Sequence, residues 1–389
     1  MSRSRWNQAR VRAGQKTTHS APILILVLVF CFGAANCGGG SGGGQGPNPP
    51  PTPTFTTIDA PGAGATSLEG TAAFRINANG EAAGYFLDAN GVLHGFIWNS
   101  DGSITTIDAP GAGTTQNLGT VVESINASGE TAGYFIDSQD LEHSFVRDAT
   151  GNISTFDPAG TSGAQSINDG GTVAGGFVDT NGAHGYLRAP DGTFTTFDPT
   201  GNPGQLTIVI PNQINASGAV AGTCIDTSSV YHGFLRDSSG NITILDAPGA
   251  GTASSEGTEI LDLNSSGVAV GGINIGVVNG VDTTHGFMLA ADGTYTFFDP
   301  PQAVSSFAYG INDNGIIVGE YRDANLVRHG YTREVDGTFT IFDDPNAAQV
   351  PTTSVNIGTN PRRTNAGGAV VGFYSDSNGV RHGFIWQTN

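Results

Sequence analysis

The sequence predicts an all-β protein, on three observations. Of its 389 residues 59 are glycine, set among Val, Ile, Thr, Phe and Tyr, which is the composition of short strands joined by tight turns. No long helical periodicity of apolar residues runs beyond residue 36. A pattern that opens at Ile76 as "INANGEAAGYFLDANGVLHGF" then returns six more times in order.

The N-terminus reads as a targeting segment and stands outside the fold. Arg3, Arg5, Arg10, Arg12 and Lys16 precede an apolar run from Ile23 to Ala35. That run is shorter than the roughly 20 residues a spanning helix needs, so export followed by cleavage is expected. Ala34-Ala35-Asn36-Cys37 resembles a bacterial lipoprotein signal, which implies lipidation of Cys37 and a membrane anchor. Ala34 and Asn36 depart from the residues usual in that signal, leaving ordinary signal cleavage and secretion as the alternative. A Gly/Ser run and then Pro47 to Pro53 follow, a flexible tether leading into a stiffer spacer. The expected division is signal peptide 1–37, linker 38–54 and a repeat domain 55–389, at the outer membrane or cell surface.

Charge narrows the partners. All 34 acidic residues lie beyond Cys37, with only ten of the fifteen basic ones and no lysine. Such a field repels nucleic acid and attracts cations. Cys224 is the one cysteine beyond Cys37, so neither an internal disulfide nor a cysteine metal site is expected in the domain.

The repeats are marked by Asn77, Asn126, Asn168, Asn215, Asn264, Asn312 and Asn365, and by His94, His143, His184, His232, His285, His329 and His382. Each copy reads as four strands. Strand A ends at the Ile-Asn pair, and a tight turn leads to strand B, "EAAGYFLD". Strand C starts at the histidine, "HGFIW", and strand D is "ITTID". Asn79-Gly80, Asn90-Gly91, Asp101-Gly102 and Asp191-Gly192 supply the positive φ of hairpin turns. Four antiparallel strands in 42 to 53 residues is the grain of a β-propeller blade. Copy seven lacks strand D, while an orphan strand D, "FTTIDAPG" from Phe55, precedes copy one. The expected architecture is therefore a seven-bladed propeller of four-stranded antiparallel blades. The N-terminal strand completes the last blade, removing two sheet edges, and a monomer is expected.

The repeated Ile-Asn-x-x-Gly-x-x-x-Gly, then Asp, then His-Gly-Phe and "GTFTTFDP", resembles the HAF-type extracellular repeat of bacterial exported proteins. The resemblance covers residues 55 to 389. Ser144, Leu263 and Thr364 depart from it at single positions, and copy five lacks the strand-B Asp. It implies export and a propeller-like repeat, and no reaction.

The model sends the D–A and B–C connections to one face, and their variable lengths make that face the expected binding surface. Near it recur Asp88, Asp137, Asp179, Asp323 and Asp376 with the seven marker histidines. These groups admit two readings: cation sites, best suited to calcium, or ties within the blades. The glycines lie in strands and hairpin turns with no helix following, which argues against a phosphate loop. Phe96, Phe145, Tyr186, Phe234, Phe287, Tyr331 and Phe384 recur after His-x as expected core.

An enzyme would need residues that break the repeat. The inner strand varies most, placing Arg75, Tyr309, Arg362 and Arg363 at the channel mouth. Glu123 and Asp262 are the carboxylates available for glycoside hydrolysis if they approach each other. The favoured reading is a binding or scaffolding module for an envelope protein or glycan, with no cofactor unless calcium. A carbohydrate-active hydrolase or lyase in the funnel, or a passive adhesive surface protein, are the alternatives.

Overall fold

The computed structural model describes residues 53–349 and 357–388. The export segment with Cys37, and the linker as far as residue 52, lie outside the described residues. What is described is strand and turn, with one 3-10 turn at Pro203–Gln205.

β1 (Thr54–Ile58) comes first in the chain and pairs last. β2 (Gly70–Ile76), β3 (Ala82–Leu87), β4 (Leu93–Trp98) and β5 (Ile104–Ile107) form an antiparallel unit in sequence order. The same pairing recurs in β6 (Gly119–Ile125), β7 (Thr131–Ile136), β8 (Glu142–Arg147) and β9 (Ile153–Phe156). It recurs in β10 (Thr161–Ile167), β11 (Val173–Val178), β12 (Ala183–Arg188) and β13 (Phe194–Phe197). Then come β14 (Leu206–Ile214), β15 (Val220–Asp226), β16 (Tyr231–Arg236) and β17 (Ile242–Leu245). β18 (Gly257–Leu263), β19 (Ala269–Val278), β20 (Val281–Leu289) and β21 (Tyr295–Phe298) follow. β22 (Ser305–Ile311), β23 (Ile317–Arg322), β24 (Arg328–Arg333) and β25 (Phe339–Phe342) make the next unit. β26 (Gly358–Thr364), β27 (Val370–Ser375) and β28 (Arg381–Gln387) end the chain, and β1 lies antiparallel on β28 from Thr54↔Gln387 to Ile58↔Gly383.

The first strand of each unit carries a β-bulge. The register slips between Ala73 and Arg75, Val122 and Ser124, Ala164 and Ser166, Ile210 and Gln213, Ile260 and Asp262, Ala308 and Gly310, and Pro361 and Arg363. The extra residue leaves the alternation of the strand, so its side chain is re-aimed away from both sheet faces. The second glycine of the repeat belongs to this device. Gly84 stands opposite Ala73, just before the bulge, and a Cβ there would collide with the Ala72 carbonyl.

Packing between units explains the recurring aromatic. Phe96, Phe145, Tyr186, Phe234, Phe287, Tyr331 and Phe384 are all fully buried. One cluster joins Ile97 and Ile107 to Val122, Phe135 and Phe145 of the next unit, and another joins Phe96 to Ile58, Val371 and Ile385. Burying each such ring contributes roughly 1.5–3 kcal/mol. At the turn end, each marker asparagine does two jobs. Asn77 Oδ1 accepts from the Asn79 and Glu81 amides, fixing its own turn, while Nδ2 donates to the Asn126 carbonyl at 3.0 Å. Asn126, Asn168, Asn215, Asn264 and Asn312 donate likewise to the next asparagine, and Asn365 donates to the Asn77 carbonyl at 3.1 Å.

Candidate functional site

Two regions gather polar side chains, one repeated and one not. In the first, each marker histidine lies on the third strand of its unit and faces the aspartate just beyond the strand that pairs with it. Nδ1 lies 2.7 Å from Asp108 in His94, 2.7 Å from Asp157 in His143, 2.6 Å from Asp198 in His184 and 2.7 Å from Asp246 in His232. His285, His329 and His382 meet Asp299, Asp343 and Asp59 at 2.8 Å. His382 thus finds its aspartate just beyond β1, 323 residues upstream.

The strand-B aspartates approach the other ring nitrogen. Asp179 and Asp137 come to 3.1 and 3.3 Å of His184 and His143, whereas Asp88, Asp226, Asp323 and Asp376 stay at 3.8–3.9 Å. Their remaining capacity goes to their own turns. Oδ1 of Asp88 accepts from the Asn90 and Val92 amides, and Asp137, Asp323 and Asp376 do the same. The imidazoles of His94, His143, His184, His329 and His382 stack on Phe86, Phe135, Phe177, Tyr321 and Tyr374 at 4.6–5.0 Å. Burial works against protonation of His143, but the hydrogen bonds and charges of Asp157 and then Asp137 outweigh it and raise its pKa. The Asp343 hydrogen bond raises that of His329, and the Asp59 bond that of His382. Among the described residues no three His, Cys, Asp or Glu side chains are grouped as a metal-binding set. Two open clefts adjoin this rim. One of about 460 Å³ is lined by Pro248, Ile273, His285, Phe297, Phe298 and Asp299, and the other, about 370 Å³, includes His232 and Asp246.

The second region is where the bulges converge. Arg75 leaves the bulge of β2 and donates from Nε to the Glu123 carbonyl at 3.1 Å. Its Nη1 reaches Gln213 Oε1 at 2.9 Å, and its Nη2 reaches the Asn212 carbonyl at 2.7 Å. One side chain therefore ties together the bulges of three units. Arg363 donates to the carbonyls of Leu261, Tyr309 and Arg362 and lies 3.5 Å from Asp262. Asp262 itself accepts from the amides of Leu263 and Ile311 at 3.0 and 2.9 Å. Glu123 is buried, and its charge acts on the Arg363 guanidinium together with that of Asp262.

Arg362 is held differently. Its guanidinium lies 4.6 Å from the Tyr309 ring centroid, 5.4 Å from Phe373 and 5.8 Å from Phe74. Tyr309 donates to Glu320 at 3.3 Å, and Glu320 lies 3.4 Å from buried Arg328. Burial, and then the charge of Glu320, push the Tyr309 phenol up to about 12. Arg381 reaches across to Tyr85 Oη at 3.1 Å while lying over Phe373.

The structure thus brings Arg75, Tyr309, Arg362 and Arg363 to one locus. It gives Asp262 an arginine and two backbone amides as partners rather than a second carboxylic acid. Sequence reasoning missed Glu320, Arg328, Asn360 and Arg381. The legible signal was density, since six of the ten arginines beyond Cys37 fall between residues 322 and 381.

Comparison with solved structures identifies the architecture. The chain is similar to virginiamycin B lyase from Staphylococcus aureus, 14% identical over 86% of this chain and 99% of that one, TM-score 0.53. It is similar to the BP39L lectin from Burkholderia pseudomallei, 9% identical over 82% and 94%, TM-score 0.54. It is similar also to the β-propeller domain of the trilobed protease from Pyrococcus furiosus, 10% identical over 82% and 96%, TM-score 0.52. The fold is a β-propeller. These identities carry the fold and nothing of the activity. No family model matches the chain, and no curated protein does.

Proposed function

We propose that this chain is an exported, lipid-anchored propeller of the HAF-repeat type that binds a partner at the cell envelope and performs no chemistry on it. In this reading the units form a closed ring of seven blades. The pairing of β1 with β28 and the Asn365-to-Asn77 hydrogen bond support closure. The domain is residues 55–389, tethered through residues 38–54 to a lipid on Cys37.

The observation that carries binding over catalysis is the state of Asp262. Each of its oxygens accepts a backbone amide, and Arg363 lies beside one of them. A paired-carboxylate hydrolase needs one acid to give up a proton and the other to face water or the anomeric carbon. A carboxylate whose two oxygens are each engaged by a backbone amide, one of them beside a guanidinium as well, is committed to the protein's own backbone. Exposed carboxylate–imidazole pairs and the cleft beside Phe297 and Phe298 give the loop face an envelope glycan or protein to meet.

The test is a glycan and secretome binding array with the full chain, alongside fractionation of the host. Retention of at least one partner without product release is the expected result, and Cys37→Ser should move the protein from the membrane to the soluble fraction. Release of sugar products, abolished by both Glu123→Gln and Asp262→Asn, would establish the hydrolase instead.

A further inference from the structure

We propose that the propeller channel holds one binding site for a monoanionic sugar acid, a uronate, whose carboxylate is taken by Arg362. The inference rests on the binding-module reading and names its ligand class.

Arg362 is the extra residue of the β26 bulge, so its side chain is turned out of the sheet toward the axis. Phe74, Tyr309 and Phe373 lie at its guanidinium, from three different units. Ring faces against a guanidinium cover its planes and leave its N–H edge. Among the described residues that edge has no carbonyl or carboxylate partner, and Nε is fully buried without one. The contrast with Arg75 and Arg363 is direct, because both are tethered to backbone carbonyls. A half-buried, aromatic-framed guanidinium with free donors is built for bidentate capture of a planar carboxylate.

A second observation is independent of the first. Asn360 is 1% exposed, and neither its Oδ1 nor its Nδ2 has a partner. It stands directly opposite Phe373 in the β26–β27 register, so the two side chains share a face, and the Phe373 ring meets both Arg362 and Arg381. A buried amide lacking every partner calls for a ligand that both donates and accepts, as a sugar hydroxyl does.

The charges choose between anions. Arg328, Arg381 and Arg363 surround the site, but Glu320 stands inside it, beside Tyr309 and Arg328, with Oε2 making no hydrogen bond. A carboxylate there disfavours a phosphate dianion and accepts a hydroxyl. One negative charge, several hydroxyls and an apolar ring face for Tyr309 and Phe74 describe a uronate.

The probes are D-glucuronate, D-glucose, inorganic phosphate and acetate, titrated calorimetrically into the full chain at low and moderate salt. Glucuronate is expected to bind, more weakly as salt rises, with glucose at least tenfold weaker. Arg362→Gln should cost tenfold or more and Arg362→Lys somewhat less. Arg333→Gln, whose guanidinium lies over Phe298 and not over Phe74, Tyr309 or Phe373, should change nothing. Asn360→Leu separates recognition from folding: it should raise the melting temperature while weakening glucuronate. Equal binding of glucose and glucuronate, preference for phosphate, acetate binding as tight as glucuronate, or an Arg362→Gln protein that binds normally would overturn the proposal. In those cases partners retained on the array would leave the binding-module reading standing. Consumption of glucuronides would sink that reading and leave the site.

Discussion

At the loop-side rim the same His–Asp contact is made from His94 to His382 at 2.6–2.8 Å, with partly exposed groups that each meet the aspartate of the strand beside them. Where the bulges converge, no two units carry the same extra residue. Arginines there reach across units to carbonyls, and polar atoms of Glu320, Arg328, Asn360 and Arg362 are left buried without hydrogen bonds. The rim is a device used once per unit, so its loss is divisible. The channel concentrates its charges in one place, and any single loss there strands an opposite charge away from water. Repetition marks what holds the units together, and departure from repetition marks what sets one unit apart from the next.

The largest expected effect comes from breaking the ion pair that also holds two backbone amides. Asp262 is buried, Arg363 is 14% exposed, and Asp262 also accepts the Leu263 and Ile311 amides. Asp262→Ala takes the counter-charge from a guanidinium and the acceptor from two backbone N–H groups, at a cost of about 3–5 kcal/mol. Equilibrium denaturation should show it as a lower midpoint with an unchanged slope. A loss no greater than that of a rim histidine would erase the distinction between the two regions.

These regions differ equally in how far they could be read in advance. Strand order, turn glycines, core aromatics and the recurring His and Asp were legible because each physical requirement recurs with the repeat and writes the same letters each time. Arg75, Tyr309, Arg362 and Arg363 were legible only as departures. What Arg75 touches was not, since Asn212 and Gln213 lie 137 and 138 positions away and meet it only when the units converge. The bulges were hidden too. An extra residue in strand A leaves no mark in a strand that already varies there, although the glycine before which it sits is repeated.

An intermediate effect is set by pH and belongs to the rim. His143, His329 and His382 hold their protons more tightly in the folded chain than in the unfolded one, through Asp157, Asp343 and Asp59. That contribution is complete below about pH 6.5 and is lost as pH rises through the raised folded values. On the acid side, burial opposes ionisation of Asp88 and Asp137, but the turn amides outweigh it, and the Asn181 amide lowers Asp179. Their contribution is present above about pH 4 and disappears as pH falls further. The melting temperature should therefore peak between about pH 4 and 6.5 and fall by on the order of 2–4 °C by pH 8. Replacing His143, His329 and His382 with Gln should flatten the fall. A melting temperature that rises from pH 6 to 8 would contradict the rim geometry.

The smallest effect separates rim positions from one another. His184 lies between Asp198 at 2.6 Å and Asp179 at 3.1 Å, stacks on Phe177 at 4.6 Å and is 12% exposed. His285 has Asp299 at 2.8 Å, no strand-B aspartate and 36% exposure. Copy five replaces that aspartate by lengthening β19 and β20 into a hairpin whose tip exposes Val277 and Val278. Solvent screens the His285 pair, so His285→Asn should cost at most about 0.5 kcal/mol. His184→Asn removes two hydrogen bonds and a stacked ring and should cost about 1–2 kcal/mol. Melting curves of the two variants at pH 6 decide the matter. Equal losses would mean that the second aspartate contributes nothing, and that the rim is held by strand D alone.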